Sequence, residues 1–471
     1  MTVHDLLVRG GTVVSSSAAT PADVAIAGER VVAVGALAGR RARREIDAAG
    51  CYVLPGVIDA HTHPVYADDL GGMTRAGLAA GVTTSLAFVG AFPSWGFEKT
   101  TATAVVDAYL DRWDGQAATD FGLHVAFDSV DDPRDQVPRL VERGISSFKF
   151  FTAYRQRGMM VDDRTLLAGL EAVAAAGGIA LVHAENGDGI EYLEGRVWDQ
   201  PELPNSAYLA CHTHLLEAEA VMRVIALADV VGCPLYIPHL AAGSAVDLIT
   251  LGRGSTHAPV WVETCPHYLV LTNDEVLERG ALSKIAPPLR TSADGDRLWE
   301  AVRDGVVQVV GTDHAGRTTA MKAEGANILQ APYGAEGIEH LLPLLWSEGV
   351  AAGRISSTRL VAVLAENPAD LFGLAPRKGR IAEGADADLV VLDPEGTSTC
   401  SVAHHVGASD YCLYEGRALQ GRVRDTVRRG EVVLEDGRLV DVTTGGRYLP
   451  RAAPGPGRLP LVDGVTPVGV G

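Results

Sequence analysis

Eight short apolar runs, each separated from the next by helix-like sequence, constrain this chain more than any other feature. They are Val53 to Ile58, Thr83 to Val89, Leu123 to Phe127, Ser147 to Phe151, Ile179 to His183, Leu235 to Leu240, Val260 to Thr264 and Val306 to Val310. Amphipathic stretches such as Leu166 to Ala176, Glu217 to Leu227 and Arg297 to Val302 lie between them. Apolar runs joined by helices predict strands in parallel order, covered on both faces. Eight such units are what a closed barrel needs, so the expected fold class is α/β, a (β/α)8 TIM barrel.

The two ends of the chain read differently. Leu6 to Arg9, Thr12 to Val14, Val24 to Ala27 and Val31 to Val34 are strand-like and punctuated by Gly10-Gly11 and Gly28-Glu29. The same texture returns at Asp388 to Leu392, Val423 to Arg428 and Glu431 to Leu434. Neither end can form a core alone, so residues 1–52 and 376–449 are expected to assemble one small β-sandwich domain. Residues 53–375 are then the barrel. Residues 450–471, rich in Pro and Gly, are expected to form a C-terminal extended arm.

Composition narrows the partners. A chain of 471 residues, 47% hydrophobic, can bury a large core, and its net charge of −19 argues against nucleic acid or an anionic membrane as a partner. No apolar run is long enough to span a bilayer, and the first residues lack a basic-then-apolar leader. Cys51, Cys211, Cys233, Cys265, Cys400 and Cys412 are scattered, as suits reduced thiols. These features together predict a cytoplasmic enzyme of small molecules.

In such barrels the active site gathers at the C-terminal ends of the strands. The first run ends in His61 and His63, two residues apart and so on one face of a strand. The fifth ends in His183, the sixth in His239, and the eighth runs into Thr312-Asp313-His314. All are metal-ligand types at the places a barrel would bring together. Lys149 sits inside the aromatic fourth run, and a protonated lysine cannot ligate a cation. It is either a core lysine paired with an acid or a chemically changed one. Burial favours the neutral amine, which can add carbon dioxide to form a carbamate able to bridge two metals. The surrounding ligand types favour the bridge.

These residues resemble the cyclic amidohydrolases, in particular the hydantoinase and dihydropyrimidinase branch. The likeness is carried by Asp59-Ala60-His61-Thr62-His63, Phe148 to Tyr154, His183-Ala184-Glu185-Asn186, Val262 to Pro266, Ala286 to Arg290 and Thr312-Asp313-His314. It implies two divalent metal ions per chain, usually Zn2+, with His61, His63 and Asp313 on one, His183 and His239 on the other, and Lys149, as N6-carboxylysine, between them. It implies hydrolysis of a cyclic amide such as a hydantoin or dihydropyrimidine ring by a bridging hydroxide, in a homotetramer or dimer. Asp313 would carry the proton to the leaving ring nitrogen, and Tyr154 would donate to the developing oxyanion. Tyr154 separates this branch from allantoinases, which typically lack it.

Departures from the family pattern bear on substrate. Ala286 and Tyr333 stand where a serine and an asparagine usually hold the ring amide through main-chain groups. His267 is more allantoinase-like, so an allantoinase-like ureide hydrolase is one alternative. A non-catalytic scaffold of the dihydropyrimidinase-related type is another, opposed by the filled ligand positions. His212-Thr213-His214 precedes an amphipathic stretch and reads as surface or helix-start packing. His404-His405 lies outside the barrel, and both pairs are expected to be decoys.

Overall fold

The computed structural model describes residues 3–98, 100–128, 132–253, 256–441 and 444–452. Eight strands form one parallel sheet in sequence order: Val57–Thr62, Val82–Gly90, Asp120–Ala126, Ser147–Phe151, Ile179–His183, Leu235–Ile237, Val260–Thr264 and Val309–Val310. The last strand returns to the first through a parallel bridge between Thr62 and His314, where the His63 N–H donates to the His314 carbonyl at 2.7 Å. The expected barrel is therefore present, with helices such as Asp163–Ala175, His214–Val231 and Ser292–Asp304 outside it.

Strand alternation sorts the side chains into two layers. Ile58, Ala60, Leu86, Phe88, Leu181 and Trp261 fill the barrel interior, whereas Val57, Val89, Phe148, Phe150 and Val182 face the helices. Each fully buried Phe stabilises the fold by roughly 1.5–3 kcal/mol relative to exposure. Lys149 shares the inward parity of Phe151, not the outward parity of Phe148 and Phe150.

Both chain ends meet in a nine-stranded sheet. Tyr52–Pro55 is its keystone, antiparallel to Leu389–Thr399 and parallel to Val3–Val14. The first apolar run is thus divided between two sheets at Gly56. A Cβ on Gly56 would lie 2.2 Å from the Thr83 hydroxyl oxygen, so only glycine lets the chain pass from one sheet to the other here. Arg41–Asp47, absent from the sequence reading, is a further strand parallel to Val3–Val14. Its side chains are mostly exposed, which removes the apolar signal by which strands are recognised.

All six cysteines are buried and free, as expected. No helix among the described residues is long and apolar enough to cross a membrane. Most of the predicted arm, residues 453–471, lies outside the described residues. Within its first part, the Arg451 guanidinium is buried and donates to Ser147 Oγ at 2.8 Å, beneath the strand that carries Lys149.

Candidate metal centre and active site

The strand ends bring the predicted residues to one mouth. His61 Nε2 and His63 Nε2 are 3.2 Å apart, and each is 3.1 Å from Asp313 Oδ1. His183 Nδ1 lies 2.9 Å from His239 Nε2. Lys149, His61, His63, His183, His239, Asp313, Tyr154, Ala286 and Tyr333 all line the same cavity. His63 and Asp313 keep 11% and 18% of their side chains exposed, so the donor set opens onto the cavity.

Buried partners fix how each donor faces. His61 Nδ1 is 2.7 Å from Glu263 Oε1, which anchors the ring through Nδ1 and turns Nε2 toward the cavity. Glu263 is itself held by the Tyr236 hydroxyl at 2.8 Å and by the His239 N–H at 3.0 Å. His183 Nε2 meets Glu185 Oε2 at 2.9 Å, leaving Nδ1 for the mouth. Glu185 continues to His212 Nδ1 at 3.2 Å, and His212 Nε2 to Glu194 at 3.1 Å. His212 is therefore a buried positioning residue and not surface packing; only its neighbour His214 is exposed, at the start of a helix.

The backbone is bent to make this arrangement. Tyr154, His239 and Asp313 adopt positive φ of 69°, 42° and 50°, each costing roughly 1–3 kcal/mol that the surrounding packing must offset. Asp313 follows Gly311, where a Cβ would lie 2.8 Å from the Glu263 carboxylate and 3.1 Å from His61 Cβ. Next to it, Thr312 ties the last strand to the first: its hydroxyl donates to Asp59 Oδ2 at 2.5 Å and its N–H to Asp59 Oδ1 at 3.0 Å.

The electrostatics separate the two first-strand histidines. Burial opposes the charged form of both, yet Glu263 and Asp313 raise His61 to about 9, whereas His63 falls to about 4. Lys149 is lowered to about 8, chiefly by burial. Its Nζ stands 5.1 Å from the Phe88 ring centre and 5.2 Å from that of Phe151, and it forms no ion pair among the described residues. The acid-paired core lysine considered from the sequence is thus absent.

The donors fit a metal ion. Bond lengths of about 2.0–2.1 Å in a tetrahedral site put neighbouring ligand atoms about 3.3 Å apart, close to the spacings of His61, His63 and Asp313. One proton cannot satisfy three such close approaches. Lys149, His183 and His239 stand at the same mouth with their donor atoms uncommitted to any carboxylate there, apart from the outer His183 nitrogen.

Residues 52–433 match the family model described as the amidohydrolase family. The chain belongs to the amidohydrolase family. Among the family's known members, a D-hydantoinase from Ralstonia pickettii is 36% identical over 466 residues, covering 95% of this chain and 99% of its own. A D-phenylhydantoinase from Escherichia coli O7:K1 is 34% identical over 464 residues, covering 95% and 98%. The crystal structure of a dihydropyrimidinase from Brevibacillus agri superimposes with a TM-score of 0.88 at 32% identity, over 95% of this chain and 98% of that one. An amidohydrolase barrel accounts for the strand-end placement of every donor above.

Several residues at this site had no role assigned from sequence. Glu263 and Glu185 lie in segments that carried the resemblance, and an acid within the apolar run Val260 to Thr264 is a signal in itself, since a buried carboxylate demands partners. Trp95, Tyr66, Arg157 and Met159 complete the cavity wall from loops after the strands, where no periodicity marks them.

Proposed function

We propose that the protein is a metal-dependent hydrolase that opens the amide bond of a hydantoin or dihydropyrimidine-like ring. The observation that carries this reading is the convergence of five strand-end metal-type donors and an unpaired buried lysine on one cavity. His61, His63 and Asp313 would hold one ion and His183 and His239 a second, with carboxylated Lys149 between them and zinc as the metal. When bound, such ions supply Lewis acidity toward the ring carbonyl and lower the pKa of the attacking water.

The chain's own groups do the rest. Asp313 takes a proton from water and delivers it to the departing ring nitrogen. Tyr154 is held protonated, burial pushing its hydroxyl well above the ordinary range, so it donates to the carbonyl oxygen as charge develops. Its ring packs on His183 at 4.7 Å and on Tyr333 at 5.5 Å, which fixes the hydroxyl's approach. Main-chain groups at Ala286 and Tyr333 would hold the ring amide. Tyr66, Trp95, Phe151 and Tyr333 line the cavity with aromatic faces, which favours a ring bearing a planar or apolar substituent. Glu185 and Glu263 act as positioning residues through His183 and His61.

The test is turnover of hydantoins, dihydrouracil, allantoin and dihydroorotate by the metal-replete protein. Ring opening is expected for hydantoins or dihydrouracil, with aryl-substituted hydantoins favoured. Preference for allantoin would move the protein to the ureide branch, and no turnover of any ring would leave the scaffold reading.

A further inference from the structure

A second group of metal-type donors lies where segment 400–412 crosses the turn at 336–340. One donor atom from each of Glu336, His340, His405 and Cys412 lies within 4.8 Å of all the others. We infer that these four residues form a structural zinc site, separate from the barrel mouth. Nothing in this inference depends on the reaction proposed above.

The spacing is that of a tetrahedron. His340 Nε2 is 3.3 Å from His405 Nε2 and 3.5 Å from Cys412 Sγ. Zinc bonds of about 2.0–2.1 Å to nitrogen and about 2.3 Å to sulfur give edges of about 3.3 Å and about 3.6 Å. Hydrogen bonding alone leaves one of these approaches unexplained, because His340 Nε2 has either one lone pair or one proton. His405 Nδ1 faces the Ser409 carbonyl at 3.4 Å, so its proton sits there and the Nε2 lone pair turns inward. A backbone carbonyl on the far nitrogen is the usual support of a metal-bound histidine.

Glu336 supplies the fourth donor and the need for a cation. It is 5% exposed; Oε1 accepts the Leu413 N–H at 2.5 Å, and Oε2 has no partner among the described residues. A buried carboxylate oxygen left this way is costly. Glutamate and a cysteine thiolate together would balance a dication. The triad Asp120, Asp386 and Asp388 shows the alternative: Lys378 Nζ lies 2.6, 2.9 and 2.6 Å from its carboxylates, so that cluster already holds its cation.

Four protein donors leave no open position, which marks a structural site. It would clip the return segment to the chain just beyond the last barrel strand. The residues between its ligands are then placed: Val406 and Gly407 N–H groups donate to Glu339 at 2.9 Å, and the Ala408 N–H donates to Asp68 at 2.7 Å. Asp68 in turn holds His314, the neighbour of Asp313, at 3.2 Å.

Cobalt reads this site independently of the barrel, whose proposed ligands include no sulfur. Full-length protein titrated with Co2+ is expected to show the near-ultraviolet thiolate-to-cobalt charge-transfer band. Cys412→Ser should lose the band. His405→Ala, at a half-buried position, should weaken or abolish it and bind about one zinc fewer per chain by elemental analysis, with an unchanged far-ultraviolet circular dichroism spectrum. No band in the wild type, a band surviving in Cys412→Ser, or equal zinc content in wild type and folded His405→Ala would each overturn the site.

Discussion

Lys149, in the barrel wall, and Lys378, at the N-terminal end of the barrel strands, are 1% and 2% exposed, but their surroundings differ completely. Lys378 meets three carboxylates, and although burial opposes its charge, Asp388, Asp120 and Asp386 raise its pKa above the ordinary value. Lys149 meets aromatic rings and imidazoles instead, and its pKa falls to about 8. The comparison teaches what buried cations are for in this molecule. A lysine given enough carboxylates is a structural counter-ion that joins the two sheets; one denied them, at a cavity full of metal-type donors, is available for chemistry.

The largest expected effect breaks the comparison on the Lys149 side. Lys149→Ala should lower kcat by more than the roughly 10–100-fold that follows loss of an outer-shell partner, and should lower metal content. Lys149→Arg should fail equally, because guanidinium stays protonated and cannot carry a carbamate. Turnover and elemental analysis of both variants decide it; parental activity in the arginine variant would make Lys149 another counter-ion.

On the other side, Lys378→Met leaves buried Asp388 without a cation, Asp120 with Arg429 alone and Asp386 with Arg30 and Arg377. It should cost about 3–5 kcal/mol of stability at neutral pH while the folded protein keeps its turnover. Asp120 adds a pH signature. Burial would raise its pKa, but Lys378 and Arg429 outweigh that and hold it below the carboxylate range. A depressed carboxylate stabilises in full above its unfolded pKa of about 4 and loses that contribution as pH falls through the folded value. The melting-temperature gap between wild type and Lys378→Met should therefore be widest near neutrality and narrow below about pH 4. Lys378 is shared, and Asp388, which lacks a second cation, ends above its ordinary value.

The two lysines also show how far sequence alone reaches. Lys149 stood out because a cation inside Phe148-Lys149-Phe150-Phe151 contradicts its surroundings, and the barrel's geometry told where strand ends would converge. Lys378 did not stand out, because its partners at 120, 386 and 388 are brought together only by the meeting of barrel and return sheet. The same limit hid His212, whose role depends on Glu185 and Glu194, and His405, which was set aside for lying outside the barrel yet packs on His340. Ligands at strand ends are legible because the strand carries a period; outer partners are drawn from loops and helices with no fixed spacing to the ligand they support.

A smaller effect sharpens the account of the mouth itself. Tyr154→Phe keeps the ring that packs on His183 and removes only the hydroxyl. Loss of one oxyanion donor should lower kcat roughly a hundredfold, with KM little changed and metal content equal to wild type. A matching kcat would reduce Tyr154 to a packing residue.

The central claim is that the barrel mouth works as a metal centre on a cyclic amide. The most direct measurement is the rate of ring opening of a hydantoin substrate before chelation, after removal of metal verified by elemental analysis, and after zinc is restored. The account predicts loss of turnover on removal and recovery as about two equivalents return to the mouth. Undiminished ring opening by protein verified to be free of metal would contradict it.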